Sequence, residues 1–218
     1  MPMEELLDPA GAEAGSLLSP GLSLFRRHLD DAAQRQLSAE IAQVLSCAPW
    51  FLPRMPRTGR PFSVKMTNCG SLGWVSDREL GYRYQATHPV TGDAWPPIPP
   101  PVLDIWRALA SWPHLPEACL VNFYDSNARL GPHQDRDEEE LAAPIVSVSL
   151  GDSCSFRYGG LHRSDPARYI ELRSGDVVVM GGPARLIFHG VDKIHPGTSN
   201  LIPGGGRINL TLRRVTRP

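Results

Sequence analysis

The chain is 218 residues long, enough for one domain of ordinary size that buries a core without a disulfide staple. Its 22 Lys and Arg against 23 Asp and Glu leave a formal net charge of −1, which excludes a globally basic nucleic-acid coat protein and an acidic disordered tail, but not a local basic patch. With 41% hydrophobic residues and no apolar run long enough for a spanning helix, the composition is that of a globular chain.

Residues 1–20, rich in Gly, Ala and Glu, read as a frayed extension. They hold Glu4, Glu5 and Asp8 and no basic stretch, so they form no secretory signal, and a soluble, cytoplasmic protein is expected. Asp30 and Asp31 are candidate caps of a helix in which Ala33, Leu37, Ile41, Val44 and Leu45 recur at helical spacing, ending near Ala48-Pro49. Residues 51–61 are rich in Pro and Arg, with Arg54, Arg57 and Arg60 close together. Gly70, Gly73 and Gly81 among Trp74, Tyr82 and Tyr84 predict turns that present aromatics. The prolines of 96–101 lead into a second short helix with Val102, Ile105, Trp106 and Leu109 as its apolar stripe.

From Cys119 onward the pattern changes to short strand-like runs: 119–124, 144–150, 154–158, 168–172, 176–180, 186–189 and 207–215. Gly-containing turns separate them, which argues a β-sandwich or jelly roll with helices packed on one side rather than a βαβ fold. The four cysteines, Cys47, Cys69, Cys119 and Cys154, lie far apart with no C-x-x-C, and are expected as buried thiols rather than a zinc site.

His133 and Asp135 stand at i and i+2, so on an extended segment they point the same way. Gly131-Pro132 before them marks a strand end or loop facing a cleft. His189, after the apolar run Leu186-Ile187-Phe188, is the best third donor. Two His and one carboxylate leave three positions open on an octahedral ion, the ligand set of non-heme Fe(II) oxygenases. Each residue also has a plainer reading: a surface His beside an Asp, a solvated acidic run from Asp135 to Glu140, and a hydrogen-bonded core His.

In the last strand, Arg207, Asn209, Thr211 and Arg213 share one face and Ile208, Leu210 and Leu212 the other. Periodicity alone describes an edge strand with a solvated polar face. The inventory also suits a small dicarboxylate such as 2-oxoglutarate, because Arg forms a planar bidentate fork with carboxylate. Asn122 and Tyr124 could add hydrogen bonds to it.

Asn122-Phe123-Tyr124, His133-Gln134-Asp135 through Glu138, Pro144 through Gly151, Gly159-Gly160, Gly175 through Val179, His189-Gly190 and Arg207 through Arg213 follow one another in the chain. In this order they resemble the AlkB family of Fe(II)/2-oxoglutarate-dependent nucleic-acid repair dioxygenases. Upstream, Met66-Thr67-Asn68-Cys69-Gly70 and Leu72-Gly73-Trp74 resemble the substrate lid of its bacterial members, so the resemblance spans residues 66–213. It implies a mainly β fold with flanking helices (α+β): a double-stranded β-helix or jelly-roll core at roughly 118–216, a lid at roughly 50–95, and a single dioxygenase domain over 21–218.

The resemblance also implies an activity: oxidative demethylation of 1-methyladenine and 3-methylcytosine in DNA or RNA, releasing formaldehyde, succinate and CO2, with Fe(II), 2-oxoglutarate and O2. It implies His133, Asp135 and His189 as iron ligands and Arg207 on the distal carboxylate of 2-oxoglutarate. Arg213 would lie at the keto-acid end, with Asn122, Tyr124 and Asn209 hydrogen-bonding the co-substrate. Met66, Trp74, Tyr82, Asp137 and Arg163 would meet the substrate nucleotide. The implied partners are single- or double-stranded DNA and RNA, with no membrane, for a monomeric protein. Two departures stand out: Met180 takes the place of a Trp, and the spacing from Trp74 to Tyr82 is one residue longer. Two rival classes fit parts of the pattern. A jelly-roll metalloenzyme acting on small molecules or proteins would have no use for the aromatic lid and Asp137. A non-catalytic nucleic-acid module would have no use for three metal ligands and two arginines.

Overall fold

The computed structural model describes residues 15–218, and the expectation for the first fourteen residues lies outside it. Strands β1 (Ser16–Ser19) and β2 (Leu22–Phe25) precede helix α1 (Asp31–Cys47). Then come β3 (Lys65–Gly70), the hairpin β4 (Gly73–Asp77) and β5 (Gly81–Gln85), and helix α2 (Pro100–Leu109). The remainder is β6 (Ala118–Tyr124), β7 (Leu130–His133), β8 (Ile145–Gly151), β9 (Ser153–Tyr158), β10 (Arg168–Leu172), β11 (Val177–Met180), β12 (His189–His195) and β13 (Arg207–Arg213). One sheet runs β1-β2-β11-β8-β13-β6-β3, a second β10-β9-β12-β7, and β4-β5 stands apart as a ribbon.

Two apolar layers hold this jelly roll together. Between the sheets, Leu120, Tyr124 and Val178 from the larger meet Cys154, Phe156, Leu172 and Ile194 from the smaller. Behind the larger sheet, Val121, Val148, Leu210 and Leu212 pack against Leu37, Ile41 and Val44 of α1 and Val102, Ile105 and Trp106 of α2. Both helices begin as the sequence suggests. The Asp30 side chain accepts from the Ala33 N–H at 2.8 Å, and prolines at 99–101 set the first turn of α2, where the missing N–H costs nothing.

The structure departs from the sequence expectations in five places. Residues 16–19 are not frayed: they pair with β2, because the Gly21 turn (φ +81°) folds them back as an edge strand. The glycines of 66–85 do mark turns, but the turns join three regular strands that the sequence reading did not assign. Gly81 (φ +72°) closes the β4–β5 hairpin, with Asp77 Oδ1 accepting from the Glu79 and Leu80 N–H groups. The run 186–189 is not a strand ending at His189. Gly182–Ala184 form a 3₁₀ turn, and the strand starts at His189 and continues to His195. β13 is not an edge strand but lies between β8 and β6, buried on both faces. Cys47 is exposed at the end of α1, whereas Cys69, Cys119 and Cys154 are buried thiols.

The segment entering β13 is held by one buried carboxylate. Asp152 accepts from the N–H groups of Thr198 (3.0 Å), Ser199 (3.2 Å) and Gly206 (2.9 Å). Asp152→Ala orphans these donors next to the strand that carries both site arginines, and should destabilise the protein by about 2–4 kcal/mol. Urea unfolding checks this; an unchanged midpoint would show that other contacts hold the segment.

Candidate metal centre and substrate cleft

The ladder between β7 and β12 sets His133 directly opposite His189. Asp135 follows two residues after His133, and one ligand atom from each of the three lies within 4.8 Å of the others. His133 Nε2 is 3.6 Å from Asp135 Oδ1, and His189 Nε2 is 3.9 Å from Oδ2. Each imidazole is oriented by the carbonyl two residues before it: His133 Nδ1 lies 2.9 Å from Gly131 O, and His189 Nδ1 3.2 Å from Ile187 O. A carbonyl only accepts, so Nδ1 carries the proton and Nε2 turns a lone pair to the centre.

Burial, reinforced by His133, pulls the His189 pKa down to about 4, so this ring is a neutral donor. Burial works against ionising Asp135, but the Arg213 guanidinium and then the two imidazoles outweigh it and hold the carboxyl well below its usual range. Two neutral nitrogens and one carboxylate oxygen are a donor set for a divalent transition metal.

Asp135 is also the start of a buried polar network. Arg213 Nη2 donates to Asp135 Oδ2 at 2.7 Å and Nη1 to the Tyr84 hydroxyl at 3.2 Å. That hydroxyl donates to Glu138 Oε1. Glu138 Oε2 accepts from Arg185 Nη2 at 3.0 Å, and Arg185 Nη1 reaches the Asp135 carbonyl at 2.7 Å. The solvated acidic run therefore fails as a description at Asp135 and Glu138, both buried, while Arg136 and Asp137 between them are exposed. Sequence reading missed Tyr84, Glu138 and Arg185 as parts of the site. A lone cation in the apolar stretch Ala184-Arg185-Leu186-Ile187 was the available signal for Arg185.

Arg207 is 1% exposed. Its Nη2 donates to Ser149 Oγ at 2.9 Å and its guanidinium carbon sits 5.4 Å over the Tyr124 ring. Among the described residues nothing accepts from its Nε or Nη1, and Asn122 Oδ1 nearby has no donor. A buried cation with unmet donors fits a carboxylate from a ligand. Asn209 lines the same cavity but is engaged inside the wall, donating to Ser147 Oγ (2.8 Å) and Val148 O (3.0 Å) and accepting from Thr211 Oγ1 (3.0 Å).

A cleft of about 860 Å³ opens over the triad. Met66, Trp74, Tyr82, Asp137 and Arg163 all line it, together with the co-substrate candidates Asn122, Tyr124, Arg207, Asn209 and Arg213. Trp74 stacks on Tyr82 (ring centroids 5.5 Å apart, 22° between planes) and its Nε1 donates to Asp137 Oδ2 at 2.8 Å. Arg163 lies over the Phe188 ring at 5.1 Å. Met180, where a Trp was expected, is buried on the cleft wall. Arg54, Arg57 and Arg60 are exposed on the strap whose Met55, Pro61 and Phe62 form one rim.

Residues 21–213 match the family model of the 2OG-Fe(II) oxygenase superfamily. The chain is 52% identical over 196 residues to the alpha-ketoglutarate-dependent dioxygenase AlkB homolog of Caulobacter vibrioides, covering 90% of this chain and 88% of that protein. It is 42% identical over 202 residues to the alpha-ketoglutarate-dependent dioxygenase AlkB of Escherichia coli, covering 91% and 92%. Among solved structures, that of OsALKBH1 superposes with a TM-score of 0.78 at 32% identity, covering 92% of this chain and all of that one.

His133→Ala and His189→Ala should each abolish metal binding and turnover with the fold retained, since each removes one of three donors; Asp135→Ala should abolish both and also lower stability, because it leaves the buried Arg213 without its anion. Isothermal titration with Fe(II) or Co(II) and circular dichroism check this, and full activity would remove that residue from the site. The metal-free protein should also be acid-sensitive in a defined window. Unfolded, His189 takes up a proton near 6.5; folded, it resists protonation down to about 4. The unfolded state therefore binds more protons between those values, and stability falls as pH drops from 6.5 towards 4. Urea midpoints against pH should show a shallower slope for His189→Asn than for wild type over that window.

Proposed function

The chain belongs to the 2OG-Fe(II) oxygenase superfamily and is an Fe(II)- and 2-oxoglutarate-dependent dioxygenase, and from that premise we propose that it demethylates N-alkylated bases in DNA or RNA, 1-methyladenine and 3-methylcytosine first among them. The observation that carries this is the placement of a stacked Trp74–Tyr82 wall and the Asp137 carboxylate in the same cleft as the His133, Asp135 and His189 triad. Methylation at N1 of adenine or N3 of cytosine leaves a flat, cationic base, which suits an aromatic face beside a carboxylate. We place the protein in the cytoplasm, as a monomer, on single- or double-stranded nucleic acid.

In this reading His133, Asp135 and His189 hold iron, which when bound supplies oxidation of an N-methyl group coupled to decarboxylation of 2-oxoglutarate. The products are the restored base, formaldehyde, succinate and CO2. Arg207 grips the distal carboxylate of the co-substrate, Arg213 lies at its keto-acid end, and Asn122, Tyr124 and Asn209 line its pocket. Trp74, Tyr82 and Met66 receive the base once it has left the stack, and Asp137 and Arg163 face the substrate, Asp137 towards its positive charge. Because Trp74 and Asp137 hydrogen-bond each other across the cleft, a single lesion inserted beside them meets both.

Mass spectrometry of methylated oligonucleotides, as DNA and as RNA, incubated with Fe(II), ascorbate and 2-oxoglutarate tests the substrate assignment. Loss of one methyl mass is expected, fastest in single strands where no pairing must be broken. No change on either cationic lesion would end the assignment. Asp137→Asn keeps an acceptor for the Trp74 indole and removes only the charge. It should slow turnover of 1-methyladenine and 3-methylcytosine more than of neutral ethenoadenine, and an equal effect on both classes would refute the electrostatic role. Arg207→Ala should raise the apparent KM for 2-oxoglutarate strongly, a loss of about 2–5 kcal/mol for a desolvated carboxylate deprived of its partner. An unchanged KM would place that carboxylate elsewhere.

A further inference from the structure

Five side chains, drawn from β5, the segment after β7, the 3₁₀ turn before β12 and the end of β13, close a hydrogen-bonded ring on Asp135. The path leaves through its carboxylate and returns to its own main-chain carbonyl: Asp135 Oδ2 to Arg213, Arg213 to Tyr84, Tyr84 to Glu138, Glu138 to Arg185, and Arg185 to Asp135 O. Arg185 has a further anchor, its Nε donating to Ala143 O at 2.8 Å. Asp135, Glu138, Arg185 and Arg213 are all buried, and two carboxylates against two guanidiniums leave the ring electrically balanced. Burial pushes the Tyr84 phenol well above its ordinary pKa, so its proton stays in place to bridge Arg213 and Glu138.

This arrangement does something that a single ion pair cannot. A carboxylate can turn about its last bond and exchange its two oxygens, and the peptide behind it can rock. Arg213 occupies Oδ2 and leaves Oδ1 towards His133 Nε2. Arg213 is itself held by Tyr84, and its Nε lies 3.4 Å from Glu138 Oε1. Arg185 fixes the carbonyl of the same residue while gripping Glu138. Both ends of the ligand are thus restrained by one chain of charge-assisted hydrogen bonds in a dry interior, where such bonds reinforce one another. Tyr84 comes from the hairpin that carries Trp74 and Tyr82, so the wall of the cleft and the metal ligand share that chain.

We propose that Tyr84, Glu138 and Arg185 are positioning residues that fix which oxygen Asp135 presents to the metal and at what angle. The proposal rests on Asp135 being a metal ligand, as the functional reading holds. Partners of this kind, one step behind a ligand, are worth about 10–100-fold in metal affinity.

The test is Co(II) titration of the full metal-free chain, followed by visible absorption, in the absence of nucleic acid. Wild type should bind and His133→Ala should not. If wild type shows no binding that His133→Ala removes, both the metal reading and this inference fall. Tyr84→Phe deletes one hydroxyl and no charge. It should weaken Co(II) binding about tenfold and shift the ligand-field bands. Glu138→Gln should move affinity and bands in the same direction and further, and Arg185→Lys, which keeps the charge but not the fork, should fall between wild type and Arg185→Ala. If Glu138→Gln or Arg185→Ala does not fold, Tyr84→Phe decides alone. Wild-type affinity and bands in Tyr84→Phe overturn the proposal, whatever happens to the unfolding temperature, because a merely structural role moves stability without moving the Co(II) spectrum.

Discussion

The interior face of β13 carries two guanidiniums between the sheets, and the site is built around the need to answer them. β13 is central, held in register by β6 on one side and β8 on the other, so its polar face cannot turn to solvent. An unpaired buried cation costs several kcal/mol. Arg213 is answered inside the chain by Asp135, Tyr84 and Glu138. Arg207 is answered only in part, by the Ser149 hydroxyl and the Tyr124 ring, with two donors left over. A carboxylate from a ligand would meet those two donors, and its affinity and the stability of the fold would then be linked through one residue.

The two ends of the cleft are made differently. The metal end is a product of the β-ladder: pairing of β7 with β12 puts one histidine opposite the other, and each ring is set by a main-chain carbonyl of its own segment. Nothing there needs a partner from outside the sheet except Asp135. The other end is a two-stranded ribbon outside both sheets, tied to β3 by the Asn68 amide on the Trp74 backbone, to the strap before β3 by Ser76 on Arg54, and to the centre by Trp74 on Asp137 and Tyr84 in the ring.

Much of this was legible in the sequence. The helices were readable because Asp30 and the prolines at 99–101 mark their starts and apolar residues repeat along one face. The strands of the core were readable as apolar runs between glycines. Spacing made His133 and Asp135 candidates because i and i+2 on extended chain share a side, and the same period set Arg207 and Arg213 on one face of β13, but it was the family resemblance that joined them with His189 into one site. Two kinds of information were not available. Periodicity cannot tell a solvated polar face from one turned inward onto a ligand, so the central place of β13 emerged only with its neighbours. Glycines also signal turns without saying what they separate, which hid the β3 strand and the β4–β5 hairpin.

The acidic run after His133 shows most plainly what one-dimensional reading leaves out. Six charged residues in a row invite a single fate, a solvated face, and here they have four. Asp135 turns to the metal centre and to Arg213. Asp137, two positions on, is exposed and meets Trp74 over the cleft. After that the chain bends, and the strand period stops applying: Glu138 goes inward to Arg185 and Tyr84, although Asp137 beside it is exposed. Glu139 and Glu140 then give their backbone N–H groups to the Val215 carbonyl, at 2.9 and 3.1 Å, tying the run to the residue two beyond β13. What distributes the charges is the pair of buried arginines waiting at two depths, Arg213 beneath Asp135 and Arg185 beneath Glu138. Within this run a carboxylate is buried only where a guanidinium already is, and those guanidiniums lie 47 and 78 residues away in sequence.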